Sequence, residues 1–470
     1  MKNFFVFIST FIVLIFAISS CKKIDKFTNE PVTLTFSTDT IFFDTIFSRL
    51  GSNPHLPRSV TLQVRVTNTS KEAVKTQIAV EGNQYGIFAI NADGRSGSKI
   101  NDVEILGNDS IYVFVQAYMD NVNSNTPFIV TDRLLFNTNG KIQDVKLVAW
   151  AQDAYYYQNE VLDCSSGSLF WTADKPHVIY DSILIPKGCT LTIDAGTRIH
   201  SFTRSAILVQ GTLIVNGTPD NNVIFEGSRL DDDYKELPGQ WIGIRFLPGS
   251  INNVINGTTI KNGYIGIEVD SLPANGNPNL VIEQSKIFNM SAVGILNYSA
   301  HTQATNNLIY NCGLFAFVGE LGGTYNLKHN TMVMPGATAG RKDAGCYLSN
   351  SPYTDINGNI FKFPLQFTMQ NNIITGPIDN EFFVNNNPNG QPISTAIVEH
   401  NILKTTNNNY SGSGNLLNRN PLFKDVQKQN YNVSGNSPAK NAGKSIGVFR
   451  DIINRNRNTI TPTIGAYEAE

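Results

Sequence analysis

Short apolar runs bounded by Asn and Gly recur through the second half of the chain, with no helical periodicity. Four clear copies open with asparagine: Asn307-Leu308-Ile309, Asn330-Thr331-Met332, Asn372-Ile373-Ile374 and Asn401-Ile402-Leu403. Looser copies occur at residues 259–262 and 285–289. Clear neighbours are separated by roughly 23 to 29 residues, and one gap is longer, so the pattern predicts repeated units of two or three short strands.

A unit of this length cannot bury its own apolar side chains and must stack on its neighbours. Parallel stacking at about 4.8 Å per layer predicts a right-handed parallel β-helix, which we place at residues 160–415. The recurring asparagines are predicted to form turns and amide ladders, because Asn tolerates left-handed turns and its amide can bond the equivalent amide one layer away. Sugar binding by these asparagines is the alternative.

Residues 32–154 show a different pattern, in which strands of alternating apolar and polar residues are separated by turn signals. Six to eight such strands over roughly 120 residues predict a small immunoglobulin-like β-sandwich. Alternation places Leu62, Val64 and Val66 inside it. The fold class is therefore all-β, and residues 416–470 are predicted to pack on the β-helix end.

The first 20 residues read as a targeting segment, since Lys2 precedes an apolar run that is too short for a spanning helix. The run closes with Ile18-Ser19-Ser20-Cys21, which resembles the lipobox of bacterial lipoproteins. That resemblance implies cleavage before Cys21 and lipidation of its thiol, with residues 21–31 as a tether. An ordinary secretory signal is the alternative.

Composition agrees with an exported protein. Charged residues make up 16% of the chain and the net charge is −2, so no nucleic-acid footprint is present. Four cysteines follow Cys21, and the sequence alone allows three pairings. Cys164 with Cys189 is favoured as a disulfide, because their separation is about one β-helix turn.

Several further segments carry a family resemblance. The sandwich segments Phe43-Asp44-Thr45-Ile46-Phe47 and Pro127-Phe128-Ile129-Val130 resemble the N-terminal sandwich of Bacteroides-type surface lipoproteins. Residues 183–197 and 211–217, with Gln240-Trp241-Ile242-Gly243-Ile244, resemble the opening of a pectate-lyase-like right-handed β-helix. The resemblance implies the pectin-lyase fold and a place at the outer membrane or cell surface. It implies little about chemistry, because that superfamily holds lyases, hydrolases, adhesins and proteins with no known reaction.

A polysaccharide lyase needs a cation beside the substrate carboxylate and a Lys, Arg, His or Tyr to take a proton. The local candidates are Lys328 and His329, beside the repeat residue Asn330, and Arg341 and Lys342 on a longer excursion. His400 precedes Asn401 at the same point of its unit, so the two imidazoles are predicted to share one face. The alternative is that this slot takes exposed polar residues. Glu320 and Arg204 are further candidates without a rank.

The insertion at residues 229–240 contains Asp231, Asp232, Asp233 and Glu236. These carboxylates could bind Ca²⁺, and a solvated charged loop is the alternative. Aromatic side chains such as Tyr264, Tyr298, Tyr310, Phe315 and Phe317 could stack on sugars or fill the core. Phe315 and Phe317 share a parity and are predicted to be core.

Three functional hypotheses follow. The preferred one is a lipid-anchored surface protein whose β-helix binds glycans or serves as an adhesive or structural rod. The second is a polysaccharide lyase or other glycan-active enzyme, favoured by a cluster of Lys, His and acidic side chains on one outer face. The third is a component of a surface assembly, favoured by a large exposed apolar patch on the sandwich.

Overall fold

The computed structural model describes residues 26–47, 60–82, 87–118, 127–270, 272–273, 276–334 and 341–470. The chain forms two compact units, Met1–Asp153 and Ala154–Glu470. The targeting segment and Cys21 lie outside the described residues.

The first unit is an immunoglobulin-like β-sandwich of two five-stranded sheets, ordered β1-β3-β8-β5-β6 and β2-β10-β9-β4-β7. Its strands are β1 Leu34–Phe36, β2 Thr40–Phe47, β3 Leu62–Asn68, β4 Val74–Val80, β5 Phe88–Ala92, β6 Arg95–Gly97, β7 Lys99–Ile105, β8 Asp109–Ala117, β9 Phe128–Thr138 and β10 Lys141–Gln152. Strand alternation drives the burial, because Val64 and Val66 are fully buried and Leu62 packs at the core edge.

The second unit is a right-handed parallel β-helix with three sheets. The first sheet contains β12 Ser168–Trp171, β14 Thr190–Asp194, β17 Thr212–Asn216, β20 Asn253–Asn256, β23 Leu280–Glu283, β26 His301–Thr305, β29 Gly323–Lys328, β34 Leu365–Gln370 and β37 Thr395–Glu399. The second contains β15 Arg198–Ser201, β18 Val223–Gly227, β21 Thr258–Lys261, β24 Lys286–Met290, β27 Leu308–Cys312, β30 Thr331–Val333, β35 Ile373–Thr375, β38 Ile402–Leu403 and β39 Leu416–Leu417. The third contains β16 Ala206–Val209, β19 Gly243–Phe246, β22 Ile265–Val269, β25 Val293–Tyr298, β28 Phe315–Glu320, β31 Cys346–Ser349 and β36 Phe382–Asn385.

Two longer strands start the coil. They are β11 Tyr155–Val161 and β13 His177–Ile185, and β13 pairs with β15 through its first half and with β16 through its second half. The second and third sheets therefore diverge from one common strand. The small elements are the hairpins β32 Tyr353–Thr354 with β33 Ile360–Phe361 and β40 Phe423–Asp425 with β41 Asn430–Val433, and the 3₁₀ turn Asn408–Tyr410.

Apolar side chains of all three sheets meet in one continuous core along the coil. The registers repeat from turn to turn, so that Ile260, Ile287 and Ile309 of the second sheet stack in the interior. Stacking therefore buries what one turn alone would expose, as the repeat pattern predicted.

A buried asparagine ladder joins the first sheet to the second. The side-chain Nδ2 of Asn307 donates to Oδ1 of Asn330 at 3.0 Å, and Asn330 repeats this contact to Asn372 at 3.0 Å. Asn372 continues it to Asn401, and Asn401 to Asn415, both at 3.0 Å. The ladder residues Asn307, Asn330, Asn372 and Asn401 are fully buried, which confirms the predicted ladder and leaves them inaccessible to sugars. The left-handed turn that the sequence assigned to them lies instead at the preceding residue.

Residues 420–470 pack along the outer face of the second sheet, whereas the sequence placed this segment at the β-helix end. Tyr431, Ile452 and Tyr467 pack there against Leu308 and Tyr310. A second cluster joins Val433, Ala439 and Ile464 to Ile373 and Ile402. This sheet carries apolar residues on both faces, and the segment removes the outer set from water.

A disulfide joins Cys164 to Cys189, whose Cα atoms are 5.7 Å apart. The two cysteines lie in successive turns of the coil, before β12 and just before β14. Cys312 and Cys346 are unpaired thiols buried further along the same core.

We expect Asn330→Ala to lower the free energy of unfolding by at least about 2 kcal/mol, because it orphans several buried hydrogen-bonding groups. The amide of Asn330 bonds Ala304 O and Asn372, and its Oδ1 accepts from the backbone and side chain of Asn307. Urea unfolding measures the change, with the exposed Asn216→Ala as the matched control. Equal urea midpoints for the two variants would refute a stabilising ladder.

Candidate functional site

The residue before each ladder asparagine occupies a left-handed turn. Asn306, His329, Asn371 and His400 fill this slot, and Gln284 fills the equivalent one before Ser285, all with φ between 47° and 58°. The sequence correctly predicted that the two histidines occupy equivalent positions. The slot requires a residue that tolerates positive φ, which explains its polar composition.

This row of slot residues holds the C-terminal segment in place. Gln284 donates to Asp451 O at 2.7 Å, and Asn306 to Arg450 O at 2.8 Å. Asn371 donates to Lys444 O at 2.8 Å, and His400 Nδ1 lies 2.9 Å from Ala442 O. The slot therefore anchors the segment instead of presenting groups to a ligand.

The structure contradicts the prediction that His329 is a catalytic candidate. It is fully buried, and burial lowers the pKa of its imidazole well below the usual range. Asn371 Nδ2 lies 2.9 Å from His329 Nε2. Lys328 lies at the end of β29 and is partly exposed on the outer face of the first sheet, so the two neighbours do not form one catalytic group.

Arg341 also has a structural role. Its guanidinium makes a bidentate ion pair with Glu381, at 2.8 and 2.7 Å, and both side chains are almost completely buried. Glu381 also accepts from the backbone N–H of Gly345 at 2.9 Å. The pair fixes the turn before β31, and Lys342 beside it is exposed to solvent.

The acidic insertion at residues 229–240 disperses its carboxylates. Asp231 pairs with Arg229 at 2.7 Å, Asp232 contacts Lys235, and Asp233 is exposed. Glu236 accepts from Asn289 Nδ2 at 2.8 Å. Among the described residues no three His, Cys, Asp or Glu side chains converge as metal ligands, so the Ca²⁺ hypothesis gains no ligand set.

A cluster of His, Glu and Lys lies beneath this insertion, on the outer face of the second sheet. His200, Glu226 and Lys261 stand in one register row, with Lys261 Nζ 3.1 Å from Glu226 and 3.6 Å from Glu236. His200 Nδ1 lies 3.5 Å from Glu226, and burial lowers the pKa of His200 to about 3. These are the side-chain types that would favour a lyase. The acidic insertion covers this cluster, with Glu236 beside Lys261, and the side-chain exposures of His200, Glu226 and Lys261 are only 3%, 13% and 16%.

The third sheet presents a second charged group, in which Arg245 is 46% exposed while Glu268 and Asp270 are 16% and 9% exposed. Glu268 projects outward from β22, and Asp270 follows this strand directly. Arg245 Nε donates to Asp270 at 2.7 Å and lies 3.5 Å from Glu268. Burial, followed by the charge of Asp270, raises the pKa of Glu268 to about 7. Glu268 therefore keeps a proton up to near neutral pH.

Tyr298 and Glu320 extend this group along the axis of the β-helix. Val269 pairs with Asn297, which places Asp270 in register with Tyr298, and Tyr298 pairs with Glu320. Burial raises the pKa of Glu320, and burial together with Glu268, Asp270 and Glu320 raises that of Tyr298. The phenol therefore lies within the field of all three carboxyl groups.

A cavity of about 340 Å³ opens beside this row, where the third sheet turns into the first. Asp270 and Tyr298 line it together with Leu272, Tyr353 and Phe363. The hairpin β32–β33 supplies Tyr353, and Phe363 follows that hairpin. We call the cavity, with Arg245, Glu268, Asp270, Tyr298 and Glu320, the acidic cleft.

Most of the acidic cleft was missed from the sequence. The sequence offers Glu320 as an unranked candidate and Tyr298 as a stacking residue, and it gives no role to Glu268 or Asp270. The available signal was the acidic pair at alternate positions of an otherwise apolar repeat strand, Ile265 to Asp270.

Tyr310 is instead buried under the C-terminal segment. Phe317 is core and Phe315 packs on the outer face, because Ala316 and Phe317 both donate to Gly345 O in a bulge that breaks the parity.

The sandwich carries a small group of exposed apolar side chains. Ile129 and Trp150 are cross-strand partners and Phe42 lies on the adjacent strand, with exposures of 55%, 42% and 52%. Nothing in the structure shows what covers them, so the assembly hypothesis gains no identified partner. The described part of the chain contains no helix with the length and apolar character needed to cross a membrane.

A family model described as "Right handed beta helix region" matches residues 175–361. No curated protein matches the sequence. Among solved structures, the chain is similar to the catalytic unit of the thermostable GH87 α-1,3-glucanase from Streptomyces thermodiastaticus strain HF3-3. Identity is 13% and the TM-score 0.33, over 79% of this chain and 81% of that one.

Two further solved structures show smaller overlaps. A protein of unknown function from Porphyromonas gingivalis W83 has 11% identity and a TM-score of 0.18, over 28% of this chain. The chain spans 60% of that protein's length. A family 123 glycoside hydrolase from Clostridium perfringens has 7% identity and a TM-score of 0.18, over 29% of this chain and 31% of that one. Similarities at this level carry no statement about activity.

The raised pKa of Glu268 predicts a pH-dependent stability. The unfolded chain binds the proton up to about pH 4.5 and the folded chain up to about pH 7, so stability should fall as pH rises between these values. Glu268→Gln cannot ionise and should flatten that part of the curve. Melting temperatures from pH 4 to 8 test this, with the exposed Glu283→Gln as control. Parallel curves for wild type and Glu268→Gln would contradict the assignment.

Proposed function

We propose that the acidic cleft binds a glycan chain and hydrolyses one of its glycosidic bonds. The observation that supports this most directly is that Glu268, Asp270 and Glu320 all act on the phenol of Tyr298, and that Asp270 and Tyr298 line an open, partly apolar cavity. Perturbed carboxyl groups in a cleft are the usual physical mark of an active site.

Glycan binding is supported by the walls of the acidic cleft. Tyr353, Phe363 and Leu272 offer apolar surface on which the C–H face of a sugar ring can pack. Asp270 and Arg245 offer acceptors and donors for sugar hydroxyl groups. A cavity of this size accommodates about one or two sugar rings.

Hydrolysis requires a protonated and an ionised carboxyl group on opposite sides of the bond. Burial favours the protonated form of Glu320, which suits the general acid. Asp270 is held by Arg245, which suits the base that activates water. Glu268 lies in hydrogen-bond contact with Asp270 and acts as a positioning residue.

The spacing favours an attacking water over direct attack by the carboxylate. Asp270 and Glu320 are two register steps apart, or about 9.6 Å between their backbones at about 4.8 Å per layer. Inverting glycosidases separate their carboxyl groups by about 6.5–9.5 Å and retaining ones by about 5–5.5 Å, so a backbone spacing this wide, with Tyr298 in the layer between, favours the inverting reaction. The candidate residues for a lyase, Lys328, His329 and Arg341, lie apart in the structure, and hydrolysis is therefore preferred to elimination.

The proposal includes attachment to the cell surface. Cys21 closes an apolar run as the lipobox of lipoproteins does, and residues 22–25 lead from it to the described sandwich. A lipid on Cys21 would hold the chain at the outer membrane, where extracellular polysaccharide is available.

We expect Asp270→Asn and Glu320→Gln each to lower kcat on a cleaved polysaccharide by about 10²-fold or more, because each removes one half of the acid–base pair. Reducing ends released from neutral and uronic-acid polysaccharides measure turnover, and absorbance of unsaturated sugars reports elimination. Glu283→Gln, an exposed carboxyl on the first sheet, is the matched control. Full activity in both cleft variants, or unsaturated products, would refute the hydrolase.

Detergent-phase partition of the full chain tests the anchor. The wild type should enter the detergent phase, and Cys21→Ser should remain in the aqueous phase because it has no thiol to acylate. Asn29→Ser, which changes the tether region and keeps the cysteine, is the control. Equal partition of wild type and Cys21→Ser would contradict lipid attachment.

A further inference from the structure

The third sheet ends before the second one does, and this leaves a step at the C-terminal end of the coil. β36 is the last strand of the third sheet, whereas the second sheet continues through β38 and β39. A cleft of about 540 Å³ occupies the step, between the turn after β35 and the segments after β38 and β39. We call it the terminal cleft.

The floor of the terminal cleft is rigid. Thr405 is fully buried, and its hydroxyl bonds Asn380 at 2.8 Å and Phe382 O at 3.1 Å. The side chain of Asn418 makes two hydrogen bonds to the backbone of Thr405. It accepts from Thr405 N at 3.1 Å and donates to Thr405 O at 3.0 Å. A ligand would meet preorganised groups, which lowers the ordering cost of binding.

Charge distinguishes the terminal cleft from the acidic cleft. Lys404 and Arg419 both line it, and neither forms an ion pair with a carboxylate in the described part of the chain. Most other cations near this end are paired, as Lys444 is with Glu399 at 2.9 Å. Asp379 is the acidic residue of the lining, so cations outnumber carboxylates.

We propose that the terminal cleft binds a sugar residue carrying an anionic group, either a carboxylate or a sulfate. Lys404 and Arg419 would contact the anion through charge-assisted hydrogen bonds. Asp379 and the hydroxyl and amide groups of Thr406, Asn408 and Asn420 would meet the sugar hydroxyls. The volume fits a monosaccharide or disaccharide.

This proposal stands independently of the hydrolase, because it uses other residues at another corner of the rod. Loss of activity at the acidic cleft would leave it untouched, and a chain without any catalytic activity could still carry it. A polysaccharide of alternating neutral and acidic sugars would suit both clefts.

Isothermal titration of the full chain tests the proposal with four probes at low salt: a glucuronosyl-glucose disaccharide, its 6-sulfated and its neutral glucosyl-glucose counterparts, and sodium sulfate. At least one acidic disaccharide should bind about tenfold tighter than the neutral one and than sulfate. The acidic probe that binds identifies the anion, and about 0.5 M salt should weaken its binding.

Lys404→Gln and Arg419→Gln should each weaken binding of that probe about tenfold, without a change in melting temperature. Lys187→Gln, which removes an exposed charge at the other end of the coil, is the control. Equal affinity for neutral and acidic disaccharides, equal affinity for sulfate alone, absence of any binding up to about 10 mM, or unchanged affinity in both variants would each overturn the proposal.

Discussion

The β-helix depends on one constraint: no turn can bury its own apolar side chains or satisfy its own backbone, so each must match its neighbours in register. Parallel pairing meets the constraint within each sheet, and the buried amide ladder from Asn307 to Asn415 meets it at the corner between the first two sheets. Each amide there has a partner in the adjacent turn. A slip of one residue would leave buried polar groups unpaired and expose the core, which specifies the register.

The outer faces of the second and third sheets differ in what covers them. The C-terminal segment and the acidic insertion cover the second sheet, so that His329 and His200 are buried and structural. The third sheet has an open corner beside β32–β33, where Glu268 and Asp270 lie on strands whose inward positions are core. The scaffold thus supports charged side chains at fixed spacing without depending on them for its own packing.

The sequence was sufficient for the fold and insufficient for the site. The repeated asparagines and the short strands bounded by glycine predict the β-helix, because spacing and periodicity can be seen in the local sequence. His329 and Arg341 looked accessible because a sequence does not show that residues 420–470 return to cover the first, or that Glu381 lies opposite the second. Asp270 and Glu320 are 50 residues apart, and only the registers of β22, β25 and β28 bring them to one cleft.

The most direct test of the central claim is the anomeric configuration of the first product released from a cleaved polysaccharide, followed by proton NMR before mutarotation. Asp270 and Glu320, two layers apart with Tyr298 in the layer between them, predict inversion at the anomeric carbon. Retention would mean that a carboxylate attacks directly at closer range, and would contradict the roles given to these two residues. Unsaturated ends would instead mean elimination, and would place the reaction outside the acidic cleft's carboxyl chemistry.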